Sequence, residues 1–126
     1  MPKIIFALLM ILVSGTQLTA APRDTEVVLN LLLAASNMTI PRQSSCNGEY
    51  GQTGAPKVKD LLAAELAGFN RGNNTIAGSC QGRDSKSCSV LIRHEYGEGG
   101  YAADIRFKVS SKGTVDISTL SCIISP

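Results

Sequence analysis

Residues 88–125 read CSVLIRHEYGEGGYAADIRFKVSSKGTVDISTLSCIIS, and their pattern decides the fold class of this chain. Apolar and polar side chains alternate along residues 88–96 and again along residues 101–110. A period of two residues is typical of a β-strand with one buried face and one solvated face. Glycine-rich turns at residues 97–100 and 111–113 separate the alternating runs. The segment therefore predicts three antiparallel strands joined by hairpins.

The first predicted hairpin brings residues of matching character together across the loop at residues 97–100. With all four of these residues in the loop, the register pairs Tyr96 with Tyr101, Ile92 with Ile105, Val90 with Phe107, and Arg93 with Asp104. Such cross-strand pairs stabilise a sheet.

The second predicted hairpin turns at residues 111–113, where a final glycine suits a bulged three-residue loop. Its register pairs Val109 with Val115, Lys108 with Asp116, and Phe107 with Ile117. Beyond this point the apolar residues change phase, to Leu120, Cys122 and Ile124. We therefore expect a β-bulge near Ser118 and Thr119.

The first 21 residues have the layout of a secretory signal peptide. Lys3 supplies a positive charge, an apolar run follows at residues 4–13, and small residues precede a predicted cleavage after Ala20 or Ala21. The apolar run is too short to span a bilayer. We interpret residues 1–21 as a signal peptide and residues 22–126 as a single domain. The mature protein is then expected to be secreted or periplasmic, without membrane attachment.

The first predicted helix has Asp24 as its N-cap and ends near Asn37. One helical face carries Val28, Leu31, Leu32 and Ala35. Further apolar residues occupy the other faces, which predicts a helix buried on almost all sides. A second helix is predicted to start at Pro56, because proline suits the first helical position.

The second predicted helix presents an apolar stripe made of Val58, Leu61, Leu62, Leu66 and Phe69. Its charged residues, Glu65 among them, are expected mostly off this stripe. A polar loop is predicted at residues 39–55, and a further short strand at residues 75–80. The predicted fold is α+β, with two helices packed on one face of a three- to four-stranded antiparallel meander and two disulfides.

Four cysteines in an exported chain predict two disulfides. In the predicted meander, Cys88 and Cys122 lie two strands apart, about 10 Å sideways, and at opposite ends of the sheet. Bonded cysteines need Cα atoms within about 7 Å of each other. Because Cys80 lies across a short loop from Cys88, the predicted pairs are Cys80–Cys88 and Cys46–Cys122. With one histidine and long cysteine spacings, the pattern does not favour a metal site.

Charge and aromatic content exclude two classes of partner. The chain has 12 basic and 10 acidic residues, a formal net charge of +2, and no tryptophan. This is not the strongly basic balance of a protein that binds nucleic acid or an anionic membrane surface. We predict no nucleic-acid partner and no cofactor.

The sole histidine, His94, is the one candidate for acid–base chemistry. By strand alternation it faces away from its neighbours Arg93 and Glu95, so they cannot assist it. We therefore predict no catalytic residues and interpret His94 as a structural residue near Tyr96 and Tyr101. An alternative is a small secreted hydrolase, nuclease-like, that uses His94 with a nearby carboxylate.

The solvated face of the predicted sheet is the candidate binding surface. Together with the hairpin tip it offers the charged residues Arg93, Glu95, Glu98, Asp104, Arg106 and Lys108. Arginine is enriched at protein interfaces. We predict a non-enzymatic binding protein, an inhibitor or an immunity-type protein, whose partner is another exported protein. A further alternative is a structural subunit of a surface assembly that pairs through an edge strand, residues 115–124.

Overall fold

The computed structural model describes residues 23–50, 55–66 and 74–126, with the side chains of residues 48–50 excepted. The predicted signal peptide, residues 1–21, lies outside the described residues. So does Phe69, the last residue of the predicted stripe on the second helix.

Within the described residues, three helical segments precede a four-stranded sheet. The helices are α1, at residues 23–34, α2, Ser45–Tyr50, and α3, Val58–Leu66. The strands are β1, Thr75–Gln81, β2, Ser87–Tyr96, β3, Gly99–Val109, and β4, Val115–Ser125. The strand order is β1-β2-β3-β4, and every neighbouring pair is antiparallel. The predicted α+β fold with an antiparallel meander is confirmed, with α2 as an additional helix inside the predicted polar loop.

Both predicted helix starts need correction. Residue 23 is already helical, so Asp24 lies inside the first turn of α1 and is not its N-cap. The third helix begins at Val58, two residues beyond Pro56. Lys57 precedes that helix, and its N–H donates to the Asp60 carboxylate at 2.7 Å. A backbone N–H that donates to the side chain three residues later is one of the two hydrogen bonds of a capping box, and it explains why the helix starts there.

The first helix is buried on one side only. Val28 and Leu32 are fully buried, whereas Val27 is 49% exposed and Leu33 is 56% exposed. The prediction of burial on almost all sides is therefore wrong. A helix that lies on one face of a single sheet has its far side open to solvent.

A close approach between α1 and the sheet depends on Gly78 in β1. A Cβ atom at this position would lie 3.3 Å from Cβ of Val28 and 3.0 Å from the carbonyl oxygen of Ser89. The backbone N–H of Gly78 also donates to the Thr25 hydroxyl at 3.0 Å. A residue without a side chain thus lets the helix contact the strand directly.

The first hairpin has a tighter turn than predicted. His94 pairs with Tyr101 and Tyr96 pairs with Gly99, so only Gly97 and Glu98 form the loop. Gly97 has φ of 57°, which fits the first central position of a type II′ turn. Two-residue turns of this type match the twist of the strands better than the predicted four-residue loop.

The change of register alters which residues are paired, but it leaves every side chain on the predicted face of the sheet. Leu91 lies opposite Asp104, and Arg93 lies opposite Ala102, so the predicted Arg93–Asp104 pair is wrong. The shift amounts to two residues, and an even shift keeps each side chain on its face of the sheet. Ile92 and Ile105 are accordingly both fully buried, as expected of the core face.

The second hairpin has the predicted register at its turn. Val109 pairs with Val115 and Lys108 pairs with Asp116, whereas Arg106 already pairs with Ser121. The register therefore shifts at Phe107, which lies in the irregularity and is not part of a regular pair with Ile117. The predicted bulge is confirmed. The Thr119 hydroxyl spans it, accepting from Lys108 N–H at 2.8 Å and donating to Asp116 C=O at 2.7 Å.

The two predicted disulfides are present. Cys46 in α2 is bonded to Cys122 in β4, with Cα atoms 4.8 Å apart. Cys80 and Cys88 face each other across β1 and β2 and are also bonded. The first bridge joins residues 76 apart in sequence, and the second joins residues 8 apart.

The two bridges should differ in their contribution to stability. Removing Cys46–Cys122 with a double Cys→Ala substitution should lower the free energy of unfolding by about 4 kcal/mol, because a long loop is released in the unfolded chain. The same substitution at Cys80–Cys88 should cost about 2.5 kcal/mol. Urea unfolding of both variants under oxidising conditions measures the difference. An equal or reversed ranking would contradict the loop-closure account.

Candidate functional site

A buried polar cluster joins α3 to the first hairpin. Glu65 follows Leu61 by four residues and Leu62 by three, which places all three on the helix face directed at the sheet. The Glu65 side chain is only 5% exposed and the His94 side chain only 8%. Glu65 was expected mostly off the apolar stripe, and its burial corrects that expectation.

The geometry of the cluster is that of a carboxylate shared by two partners. Nε2 of His94 lies 3.1 Å from Oε1 of Glu65. The Tyr101 hydroxyl donates to the same oxygen at 3.4 Å. The rings of His94 and Tyr101 stack with centroids 4.5 Å apart and planes 18° apart. The stack follows from the register, because these two residues face each other on β2 and β3.

The environment of the cluster affects the Tyr101 phenol. Burial raises the pKa of Tyr101 above its ordinary value of 10, and the negative charge of Glu65 raises this pKa further. Both causes oppose formation of a phenolate. The phenol therefore stays protonated and continues to donate its hydrogen bond to Glu65 at neutral pH.

The arrangement has the elements of an acid–base pair but little access to solvent. A carboxylate bonded to one ring nitrogen orients a histidine and fixes its tautomer. A general base must also reach a substrate proton within hydrogen-bond distance. Both side chains are less than a tenth exposed. The cluster therefore connects α3 to the hairpin in the interior, and we call Glu65, His94 and Tyr101 the clamp. Arg93 and Glu95 are exposed on the other face, where the alternation predicts them.

The second candidate region is the sheet face that carries none of the buried core residues. Arg93, Glu95, Arg106 and Lys108 are exposed on this face, and Asp104 is half-buried beside them. Arg106 forms an ion pair with Asp104, with an N–O distance of 2.8 Å. This contact raises the pKa of Arg106, chiefly through the hydrogen bond. Glu98, the sixth predicted binding residue, is exposed in the hairpin turn.

Apolar residues on this face were missed by the sequence interpretation. The register places Ala77, Leu91, Asp104 and Ile123 in one row across the four strands. Ile123 is 50% exposed and Ala77 is exposed, while Leu91 is partly covered. The signal available in the sequence was an apolar residue at a position of β1, β2 and β4 where the alternation calls for a polar one.

The two edges of the sheet are capped by side-chain hydroxyls. Ser44 donates to the Leu120 carbonyl at 2.6 Å, and Ser45 accepts from the Cys122 N–H at 2.8 Å. On the opposite edge, Thr25 accepts from the Gly78 N–H. The segment 115–124 is an edge strand as predicted, but the middle of its outer edge is occupied.

The described part of the chain contains no group of three or more His, Cys, Asp or Glu side chains able to hold a metal ion. Among the same residues, no helix has the length and apolar character needed to cross a membrane. No family model, curated protein or solved structure matches this chain.

The clamp should contribute measurably to stability. Glu65→Ala should lower the free energy of unfolding by about 3 kcal/mol, because it leaves the buried His94 ring and the half-buried Tyr101 hydroxyl without their shared acceptor. Glu95→Ala, which changes an exposed glutamate of β2, is the matched control and should change stability by less than about 0.5 kcal/mol. Urea unfolding compares the two. Equal small effects would show that the cluster does not hold α3.

The raised pKa of Tyr101 predicts a pH dependence. Its pKa is higher in the folded protein than in the unfolded chain, so the folded state retains a proton that the unfolded state has lost. The stabilisation is complete below pH 10 and is lost as pH rises through the raised pKa. Absorbance titration should show one phenol ionising late, and Tyr101→Phe should remove that step while Tyr96→Phe retains it. A late step that survives Tyr101→Phe would refute the assignment.

Proposed function

We propose that the protein is a non-enzymatic binding protein, an inhibitor or an immunity-type protein, that acts on another exported protein. The observation that carries the proposal is the sheet face opposite the core, with its exposed charges and its apolar row. We infer a secreted or periplasmic location from the leader-like residues 1–21, and the two disulfides are compatible with it.

The composition of this face supports a protein partner. Leu91 lies near its middle and Ile123 at its β4 side, and Arg93 and Arg106 flank their row on β2 and β3. Protein interfaces commonly have an apolar centre with a polar rim, and arginine is enriched in them. Fully solvated faces of antiparallel sheets more commonly carry polar residues throughout. A partner would cover Ile123 while the flanking arginines meet acidic groups.

The capped edges favour docking on the face over strand addition. A partner strand that paired with the middle of β4 would have to displace Ser44 and Ser45 from Leu120 and Cys122. This makes a structural subunit that assembles through an open edge the weaker alternative. The face itself can be covered without breaking any of these bonds.

A second candidate function is a small secreted hydrolase, favoured by the 3.1 Å contact between His94 and Glu65. Its weakness is the burial of both side chains. This candidate would be supported by a hydrolytic activity that His94→Gln abolishes while the circular dichroism spectrum and the unfolding midpoint stay unchanged.

A photo-crosslinking residue tests the proposed docking face. Placed at position 123 of the oxidised protein, it should form an adduct with one protein of the native extract. Placed at position 27, which is similarly exposed but on α1, it should not. The adduct should be lost when Arg93→Glu is added, because the charge at the rim is reversed. Identical adducts from both positions, or none from position 123, would overturn the proposal.

A further inference from the structure

A groove of about 490 Å³ crosses the uncovered sheet face at the end that carries the Cys80–Cys88 disulfide. Side chains from all four strands line it. Ser79 on β1, Ser89 on β2, Arg106 on β3 and Ser121 on β4 form one row across the sheet. The next row contains Lys108, and Thr119 of the bulge adds a further hydroxyl.

The groove lining is rich in hydrogen-bond donors and carries positive charge. Its polar side chains are hydroxyls, one amide and two cations, and no aspartate or glutamate of the described ranges lines the groove. Strand geometry places neighbours in a row about 4.8 Å apart and successive rows about 6.7 Å apart. Several donors can therefore reach one ligand group at the same time. The disulfide between Cys80 and Cys88 joins the two strands that supply three of the five hydroxyls.

The two cations are placed to meet an anion. Arg106 is held by Asp104, which accepts from Nε at 3.2 Å and from a terminal nitrogen at 2.8 Å, and both bonds end on one oxygen. A guanidinium has five N–H donors, so others remain for a ligand. Asp104 thus orients Arg106 without using all of its donors.

Lys108 has no comparable partner in the described residues. Its ammonium has no carboxylate within ion-pair distance there, although Asp116 faces it in the register. The Asp116 carboxylate is instead engaged by the N–H and hydroxyl of Ser118, at 3.2 and 2.7 Å. The ammonium is exposed beside the groove and available to a ligand.

We propose that this groove binds a phosphate or sulfate group carried on a hydroxyl-bearing small molecule such as a sugar. A tetrahedral oxyanion offers several acceptors and matches a guanidinium and an ammonium surrounded by hydroxyls. The groove is wider than a single anion requires, and the remaining serines can pair with hydroxyls of the ligand body. The groove shares Arg106 with the proposed docking face, but its hydroxyl lining lies outside the apolar row that contains Ile123.

Nuclear magnetic resonance of the oxidised, ¹⁵N-labelled protein tests the site at constant ionic strength. Inorganic phosphate and inorganic sulfate should each produce saturable shifts of the amides of Ser89, Arg106 and Ser121. Glucose 6-phosphate and glucose 6-sulfate should bind more tightly than the inorganic ions, and glucose alone should bind most weakly. The ratio between the two esters identifies which oxyanion the groove prefers.

Surface substitutions distinguish specific binding at the groove from a general effect of positive charge. Lys108→Gln and Arg106→Gln should each weaken binding of the preferred ester about tenfold, because each removes a charge-assisted hydrogen bond. Lys59→Gln changes an exposed cation on α3, outside both the groove and the proposed docking face, and should leave the Kd unchanged. Absence of saturation, or equal effects of Lys59→Gln and Lys108→Gln, would overturn the proposal. Neither result depends on position 123, so the docking proposal is tested separately.

Discussion

The rest of the structure depends on the two-residue period of the β2–β3 hairpin. Each strand sends alternate side chains to opposite faces, so the pairing of His94 with Tyr101 fixes where every neighbour points. Ile92 and Ile105 go to the core, and Arg93 and Arg106 go to solvent. The helices can cover only the apolar face. Core, buried cluster and open face are thus three consequences of one periodicity.

The same periodicity explains which features could be predicted from sequence. The alternation was sufficient to predict the face of the sheet on which each side chain lies. The disulfide pairs could be predicted too, because bonded cysteines must lie close in space. The exact register of the first hairpin was not, because Gly97–Gly100 allow more than one loop and a shift by two residues preserves every face. The helix α2 was also missed, since its six residues are too short and polar to give a periodic signal.

Glu65 shows where sequence interpretation reaches its limit. A charged residue within a helix is exposed in most proteins, and burial becomes acceptable only when partners satisfy it. Those partners, His94 and Tyr101, are 29 and 36 residues away in the chain. Their position depends on the hairpin register, so the cluster could not be recognised before the sheet was known. The helical spacing from Leu61 and Leu62 was the one local signal.

The division between a buried cluster and an open face bears on how the protein can act. Glu65 and His94 meet each other's hydrogen-bonding needs inside the structure, which stabilises the position of α3 but leaves little surface for a substrate. Arg106 and Lys108 lie in a sheet whose strands are joined by a disulfide and two hairpins. Side chains on strands constrained in this way can meet a ligand at low entropic cost. The proposed recognition therefore depends on the face, while the buried cluster connects α3 to the first hairpin.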